Sequence, residues 1–136
     1  HIFLKEIHSM CKIIIYNFYT YLKAKEHTMY FPTSSILIEF LILAIIDRED
    51  SYGYEISQTI KLVANIKEST LYPILKKLEK AGYMTTYSQA YQGRKRKYYS
   101  ITQEGKNHLQ FLNEEWLTYK ETLDGIVEGR LRHDKD

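Results

Sequence analysis

The stretch that decides the fold runs from residue 68 to residue 102 and reads ESTLYPILKKLEKAGYMTTYSQAYQGRKRKYYSIT. Its first half places apolar residues at the i, i+3, i+4 and i+7 positions of one helix face, which predicts an amphipathic helix packed on a core. These residues are Leu71, Ile74, Leu75 and Leu78. Gly82 follows, and a glycine just past the last turn commonly ends a helix in a left-handed conformation.

A basic hairpin is predicted after this helix. Two β-rich runs, residues 83–87 and 97–101, are separated by a loop that contains Gly93, and residues 94–97 are four consecutive cations. A helix followed by a basic hairpin is how a winged helix-turn-helix meets DNA, with the helix in the major groove and the wing along the backbone. We therefore predict a winged helix-turn-helix in this half of the chain.

The charge distribution favours a nucleic-acid partner. Residues 61–106 carry ten Lys or Arg against three Asp or Glu, whereas residues 29–60 and 107–136 together carry five against twelve. A basic stripe within an acidic body is typical of a nucleic-acid binder. A solvated lysine-rich helix face is the alternative. It is disfavoured because the cations occur on the helix and again on the hairpin.

Upstream of this stretch the sequence predicts two more helices. Thr33, Ser34 or Ser35 can cap a helix that runs to about Arg48. Its predicted apolar face consists of Ile36, Leu37, Phe40, Leu41, Ala44 and Ile45. A short second helix is expected to begin near Gly53. Asn65 and Glu68 have the spacing of a capping box, which would start the third helix, and Pro73 lies inside that helix.

The C-terminal helix carries a heptad seam. Thr102 is expected to cap it, and its apolar residues follow a 3, 4, 3, 4, 3 spacing. The seam consists of Leu109, Leu112, Trp116, Tyr119, Leu123 and Ile126. It can be buried against its own domain or against a second subunit. We favour the second subunit, because a winged helix leaves one flank open and DNA readers commonly pair to match two half-sites.

Residues 1–28 differ in composition from the rest of the chain. They are rich in Ile, Tyr, Lys and Phe and contain no Gly or Pro. Two interpretations stay open: an extra amphipathic helix that adds to a dimer interface, or a non-native segment before a natural start at Met29. A signal peptide is disfavoured because the segment lacks a small-residue cleavage site.

The composition excludes several classes of function. Cys11 is the only cysteine and the five histidines have no ligand spacing, so we predict no metal and no cofactor. No nucleophile has a paired base and no glycine loop is suited to cradle phosphate, so no catalytic residue and no enzymatic activity are expected. No run of about 18 uncharged apolar residues exists, which predicts a cytoplasmic protein without a membrane span.

Three motifs resemble the PadR family of bacterial transcriptional regulators. They are YGYEI at 52–56, STLYPILKKLEKAGY at 69–83 and GRKRKYYSITQEG at 93–105. The single long helix after the wing is similar to the compact branch of the family, in which that helix mediates dimerisation. The resemblance implies a dimeric repressor that binds a pseudo-palindromic operator in double-stranded DNA and releases it on a signal.

The resemblance also implies individual site residues. The recognition-helix positions fall on Ser69, Thr70, Tyr72 and Lys76, to which we add Lys77 from the same polar face, and the wing cations fall on Arg94, Lys95 and Arg96. In the multidrug-responsive members, a Trp matching Trp116 helps to form a pore between subunits where flat aromatic compounds stack. Trp116 is therefore a candidate ligand-binding residue, and the alternative is an ordinary role in the dimer core.

Together these observations predict a mainly α protein with a small β-hairpin, of the α+β class. Four segments are expected: an N-terminal extension (1–28), a winged helix-turn-helix domain (29–102), a C-terminal dimerisation helix (103–131) and a tail (132–136). The predicted function is sequence-specific transcriptional repression by a homodimer, relieved by a small aromatic or drug-like compound. The alternative is a winged-helix protein-interaction or assembly module, which the basic wing disfavours because protein interfaces deplete Lys at their core.

Overall fold

A computed structural model of the chain describes residues 2–26 and 31–134. Within these residues the chain forms five α-helices and one small antiparallel sheet, which confirms the predicted α+β winged-helix fold. The elements are α1 (Ile2–Glu26), α2 (Ser35–Arg48), β1 (Ser51–Tyr52), α3 (Gly53–Ile60), α4 (Glu68–Lys80), β2 (Met84–Tyr91), β3 (Arg94–Ile101) and α5 (Gln103–Val127).

The core lies where α2, α3 and α4 meet the base of the sheet. As predicted, α4 buries one apolar stripe: Leu71, Leu75 and Leu78 are at most 1% exposed, and Ile74 packs on them half-buried. Full burial of each such side chain contributes about 1.5–3 kcal/mol relative to exposure. The core is completed by Ile38, Ile42, Leu43, Ile46, Ile56, Ile60, Ala64, Ile66, Met84 and Tyr99.

Helix α2 begins and ends as predicted but buries a different face. The Ser34 hydroxyl accepts a hydrogen bond from the Leu37 backbone N–H, and the helix ends at Arg48. The predicted face, Ile36, Leu37, Phe40, Leu41, Ala44 and Ile45, is half-buried or exposed, while Ile38, Ile42, Leu43 and Ile46 are buried. The prediction was wrong because α2 is apolar on nearly every side, so periodicity does not single out one face.

The start of α4 also differs from the prediction. Lys67 occupies the N-cap position without a side-chain cap, and its carbonyl accepts the first helical bonds from Thr70 and Leu71. The predicted capping box of Asn65 and Glu68 is wrong, because the helix begins at Glu68 itself. The predicted end is confirmed: Gly82 has φ +82°, and the Tyr83 N–H bonds back to the Leu78 carbonyl.

Strand β3 lies between β1 and β2. The β2–β3 hairpin is paired from Met84↔Ile101 to Tyr91↔Arg94 and closes through Gln92 and Gly93, both with positive φ. This is a tight two-residue turn of the kind that matches the twist of a hairpin. The predicted strands were too short, because the outer half of the ribbon, residues 88–91 and 94–97, contains no buried residue and therefore lacks an apolar alternation.

Helix α5 packs along α2 and is anchored at both ends. The predicted cap is confirmed: Thr102 Oγ1 accepts from the Gly105 N–H at 3.0 Å and donates to the Gly82 carbonyl at 2.6 Å. At its C-terminus the Arg130 N–H bonds back to Gly125, and Leu131 covers that glycine. The chain therefore reverses direction at the end of the helix.

Helix α1 leaves its side chains from residue 3 to residue 22 exposed. A helix at this position agrees with the extra-helix interpretation of the N-terminal extension. Its contribution to a dimer interface stays a prediction, as do the boundaries of the four segments. Residue 1, residues 27–30 with Met29, and residues 135–136 lie outside the described part of the chain.

Candidate nucleic-acid interface

The polar face of α4 presents the predicted recognition residues to solvent. Ser69, Thr70, Lys76 and Lys77 are exposed, while Tyr72 is 47% exposed. The Tyr72 ring lies against the first residue of α3: a Cβ atom on Gly53 would stand 2.9 Å from the Tyr72 hydroxyl oxygen. Because Gly53 has no side chain, α3 and α4 can approach closely. The Tyr72 ring packs against Gly53, and about half of the Tyr72 surface remains exposed to solvent.

The three lysines of α4 and Lys97 of β3 differ in whether they form ion pairs. Lys77 Nζ lies 2.6 Å from Glu39 Oε1 of α2, whose side chain is only 10% exposed. Lys97 Nζ lies 3.7 Å from Glu79. Lys76 and Lys80 have no ion-pair partner among residues 2–26 and 31–134. These two lysines are therefore the cations of α4 that are available to an external anion.

The tip of the wing carries two more unpaired cations. Arg94 and Lys95 are exposed, and in the described chain neither forms an ion pair. They lie beside Tyr91 and Gln92 at the hairpin turn. Exposed cations at this position can reach phosphate oxygens without leaving another charge unpaired.

Arg96 is placed differently from the other predicted wing cations. Its guanidinium is sandwiched between two rings, with Cζ 3.9 Å from the centroid of Tyr52 and 3.8 Å from that of Tyr91. Its Nη1 donates a hydrogen bond to the Tyr98 hydroxyl at 3.4 Å, which raises the pKa of Arg96. The structure thus brings Arg96 into an aromatic cluster on the outer face of the sheet.

We call this group the outer-face cluster; its members are Asp50, Tyr52, Tyr87, Tyr91, Arg96 and Tyr98. The Tyr98 ring stacks on Tyr87 at 5.5 Å and meets the edge of Tyr52 at 5.6 Å. Tyr87 donates to Asp50 Oδ2 at 2.7 Å, and this bond is the main reason why the pKa of Tyr87 is raised. The sequence pattern shows that Arg96 and Tyr98 share a strand face. It gives no sign of the distant partner Tyr52.

On the opposite face of β3, Tyr99 belongs to the core. It is 4% exposed, and burial raises the pKa of its hydroxyl, with a smaller contribution from Glu79. This agrees with the sequence, in which Tyr98 and Tyr99 must lie on opposite faces of the strand. Tyr99 is thus structural, whereas Arg96 and Tyr98 lie on the outer face.

A second feature is an apolar groove of about 430 Å³ between α2 and α5. Trp116 forms part of its wall, with the Phe40 ring centroid at 6.3 Å and that of Tyr119 at 6.1 Å. The remaining lining residues are Pro32, Ser34, Ile36, Leu37, Leu112 and Glu115. The candidate ligand residue therefore lies in a concave, largely aromatic and aliphatic environment.

The heptad seam of α5 divides into two parts. Leu109 and Leu112 pack, half-buried, against the core of their own domain. Tyr119, Leu123 and Ile126 are 59%, 44% and 58% exposed. Only the second part of the seam is therefore open to a partner.

Neither a metal-binding cluster nor a membrane-spanning helix is found among the described residues. These residues contain no group of three or more His, Cys, Asp or Glu side chains arranged to hold a metal ion. None of the helices in the described chain is long and apolar enough to cross a membrane.

The fold and the basic surfaces of α4 and the wing define a winged helix-turn-helix protein of the DNA-binding class. The model of the transcriptional regulator PadR-like family matches residues 42–111. The chain belongs to the PadR-like family of transcriptional regulators, which confirms the resemblance seen in its motifs and implies regulation through DNA binding.

Solved structures agree with this assignment. A Streptococcus mutans protein is 69% identical, with a TM-score of 0.76, covering 78% of this chain and 100% of its own. A PadR family transcription regulator from Clostridium difficile is 33% identical, with a TM-score of 0.62, and the match covers 66% and 97% of the two chains. A PadR-like transcriptional regulator from Bacillus cereus is 31% identical, with a TM-score of 0.63 and coverage of 67% and 91%.

Proposed function

We propose that this regulator is a dimeric, sequence-specific repressor that binds a pseudo-palindromic operator. The observation that carries the proposal is a set of exposed cations that have no ion-pair partner in the described chain: Lys76 and Lys80 on α4, and Arg94 and Lys95 on the wing. Ser69 and Thr70, exposed near the start of α4, are suited to reach base edges. In this arrangement the wing contributes affinity through contacts with phosphates, and α4 recognises the bases.

Dimerisation is proposed through the open part of the α5 seam. Tyr119, Leu123 and Ile126 expose apolar surface at heptad spacing, and Ile36 of α2 is 61% exposed. Large exposed apolar patches on a soluble protein commonly mark an interface. A two-fold pair of winged helices would hold two recognition helices in register with two half-sites.

We further propose that a flat aromatic or drug-like compound binds at Trp116 and releases the operator. The groove beside Trp116 has apolar and aromatic walls, and the lining Glu115 would favour a cationic ligand. Stacking on an aromatic ring contributes about 0.5–1.5 kcal/mol beyond area burial. Since α5 carries both the groove residue and the dimer seam, a ligand here can alter how the two subunits are held.

The DNA-binding proposal is tested with a duplex from the promoter region upstream of the protein's own gene and a scrambled duplex of the same composition. A specific regulator should prefer the promoter duplex by about 10³-fold or more at physiological salt. Equal affinity for both duplexes would contradict sequence-specific binding. Binding to neither duplex, together with no salt-dependent retention on heparin, would favour the protein-interaction alternative.

The ligand proposal is tested by titration with flat cationic dyes. Trp116 is the only Trp of the chain, so its fluorescence reports this groove directly. We expect quenching by a subset of dyes and release of the promoter duplex by the same subset. No quenching across the panel, or an identical signal change in Trp116→Ala, would leave Trp116 with a packing role only.

A further inference from the structure

The wing is a two-stranded ribbon for most of its length. Strand β1 pairs with β3 only at Ser51↔Tyr99 and Tyr52↔Tyr98, so from Lys97 outward β3 has β2 alone beside it. A two-stranded hairpin is at best marginally stable by itself in water. The angle between the wing and α4 therefore depends on contacts that connect the ribbon to the rest of the domain.

Arg96 provides such a connection. One face of its guanidinium meets Tyr52, the last residue of β1, directly before α3. The other face meets Tyr91, the last residue before the hairpin turn. Both distances, 3.9 and 3.8 Å, lie well within the range of cation–π attraction. A single side chain thus spans from the body of the domain to the tip of the wing.

The outer-face cluster continues this connection beneath Arg96. The Tyr98 hydroxyl accepts from Arg96, the Tyr98 ring stacks on Tyr87, and Tyr87 donates to Asp50 in the segment between α2 and β1. Contacts therefore run without a break from the end of α2 to the hairpin turn. Arg94 and Lys95, two residues and one residue away from Arg96, take part in none of these contacts.

We propose that Arg96 is a positioning residue that holds the wing at a fixed angle to α4, so that Arg94 and Lys95 reach the DNA backbone, and that it does not itself contact phosphate. The inference rests on the proposed DNA-binding role of the wing. It assigns Arg96 a different role from the two cations beside it, although all three stand in one run of sequence.

The test compares variants that remove charge with variants that remove the connection. Lys95→Gln and Arg96→Gln each remove one cation, while Tyr91→Leu removes a ring contact at the exposed tip and changes no charge. Binding to a random-sequence duplex of 20 base pairs is measured as a function of salt. Lys95→Gln should lower the salt slope by about one unit, as the loss of a phosphate contact requires.

For Arg96→Gln we expect binding that is several-fold weaker with the salt slope of the wild type. Tyr91→Leu should behave in the same way, and the double variant should bind no more weakly than Arg96→Gln, because both changes break one connection. In the free protein, amide hydrogen exchange of residues 88–97 should accelerate in both variants and stay unchanged in Lys95→Gln.

Three results would overturn the inference: a salt slope reduced by one unit in Arg96→Gln, additive effects of Arg96→Gln and Tyr91→Leu, or unchanged exchange in the wing. Each would assign Arg96 a phosphate contact or no role. Failure of the wild type to bind the duplex at all would instead contradict the proposed function. The exchange measurement needs no DNA, so the two failures are distinguishable.

Discussion

Gly105 shows how one missing side chain determines the junction between the sheet and the last helix. A Cβ atom at this position would overlap the Tyr83 carbonyl oxygen and lie 2.8 Å from Ile101 Cγ1. The oxygen cannot simply move away, because it accepts the Thr102 N–H at 3.1 Å. The close approach is therefore built into the backbone at the point where α5 leaves the domain.

We predict that Gly105→Ala destabilises the protein, although alanine favours a helix by about 1 kcal/mol over glycine. Forcing an extra carbon into a packed site costs about 1–3 kcal/mol, and here the neighbour is backbone. Urea denaturation gives the free energy of unfolding, with Asn113→Ala on the exposed side of α5 as the control. Equal stability of the two variants would show that the junction can relax.

Adjacent lysines on α4 are expected to have separate roles. Lys77 neutralises the nearly buried Glu39, whereas Lys76 has no ionic partner in the described chain. We predict that Lys77→Ala lowers the free energy of unfolding by about 1–2 kcal/mol, because it removes a charge-assisted bond to a buried carboxylate. Lys76→Ala should leave stability unchanged and weaken DNA binding. Thermal denaturation and duplex titration of both variants check this, and the reverse pattern would contradict it.

At the scale of elements, the wing is expected to contribute affinity for DNA but no recognition of the base sequence. Replacing Arg94 and Lys95 together with Ala should weaken binding to operator and random duplexes alike, since phosphate contacts carry no sequence information. The salt slope should fall by about one unit for each lost contact. Replacing Lys120 and Arg132, which are exposed and lie outside α4 and the wing, together with Ala removes the same two charges and controls for the change in net charge. An unchanged affinity and slope in the double variant would remove the wing from the interface.

Elements differ in how far their sequence determines their placement. The buried stripe of α4 was predictable because Leu71, Leu75 and Leu78 share one helix face, and Lys76, Lys77 and Lys80 lie on the other. In α2 the same reasoning selected the wrong face. Its single interior charge, Glu39, lies on the buried side, where Lys77 from another helix satisfies it. A pairing across 38 residues leaves no local pattern to find.

The candidate DNA-binding site was likewise predictable only in part. Exposure of Ser69, Thr70 and Lys76 follows from the helix period, and the basic run at the wing is visible in the sequence itself. The separation of Arg96 from Arg94 and Lys95 was not predictable, because it depends on the register that places Tyr52 opposite Tyr98. Strand register is set by tertiary packing and turn geometry, which composition does not encode.

At the scale of the whole molecule, the cations proposed to bind DNA and the apolar seam of α5 lie on different elements. Cations without an ion-pair partner among the described residues are found on α4 and the wing. Exposed Leu117, Leu123, Ile126 and Val127 lie along the second half of α5. The first half of α5 is already used, since Leu109 and Leu112 pack on their own domain. A partner seated on the second half would leave the basic surfaces free for DNA.

The dimer prediction is tested at Leu123, which is 44% exposed and occupies a seam position. Leu123→Glu would place a carboxylate in an interface that we expect to be dry, which is costly without a partner charge. The variant should sediment as a monomer and lose operator binding, because two half-sites are no longer held in register. Thr122→Glu adds the same charge one position off the seam and should remain a dimer. A monomeric wild type at micromolar concentration, or a dimeric Leu123→Glu, would show that subunits do not pair through this helix.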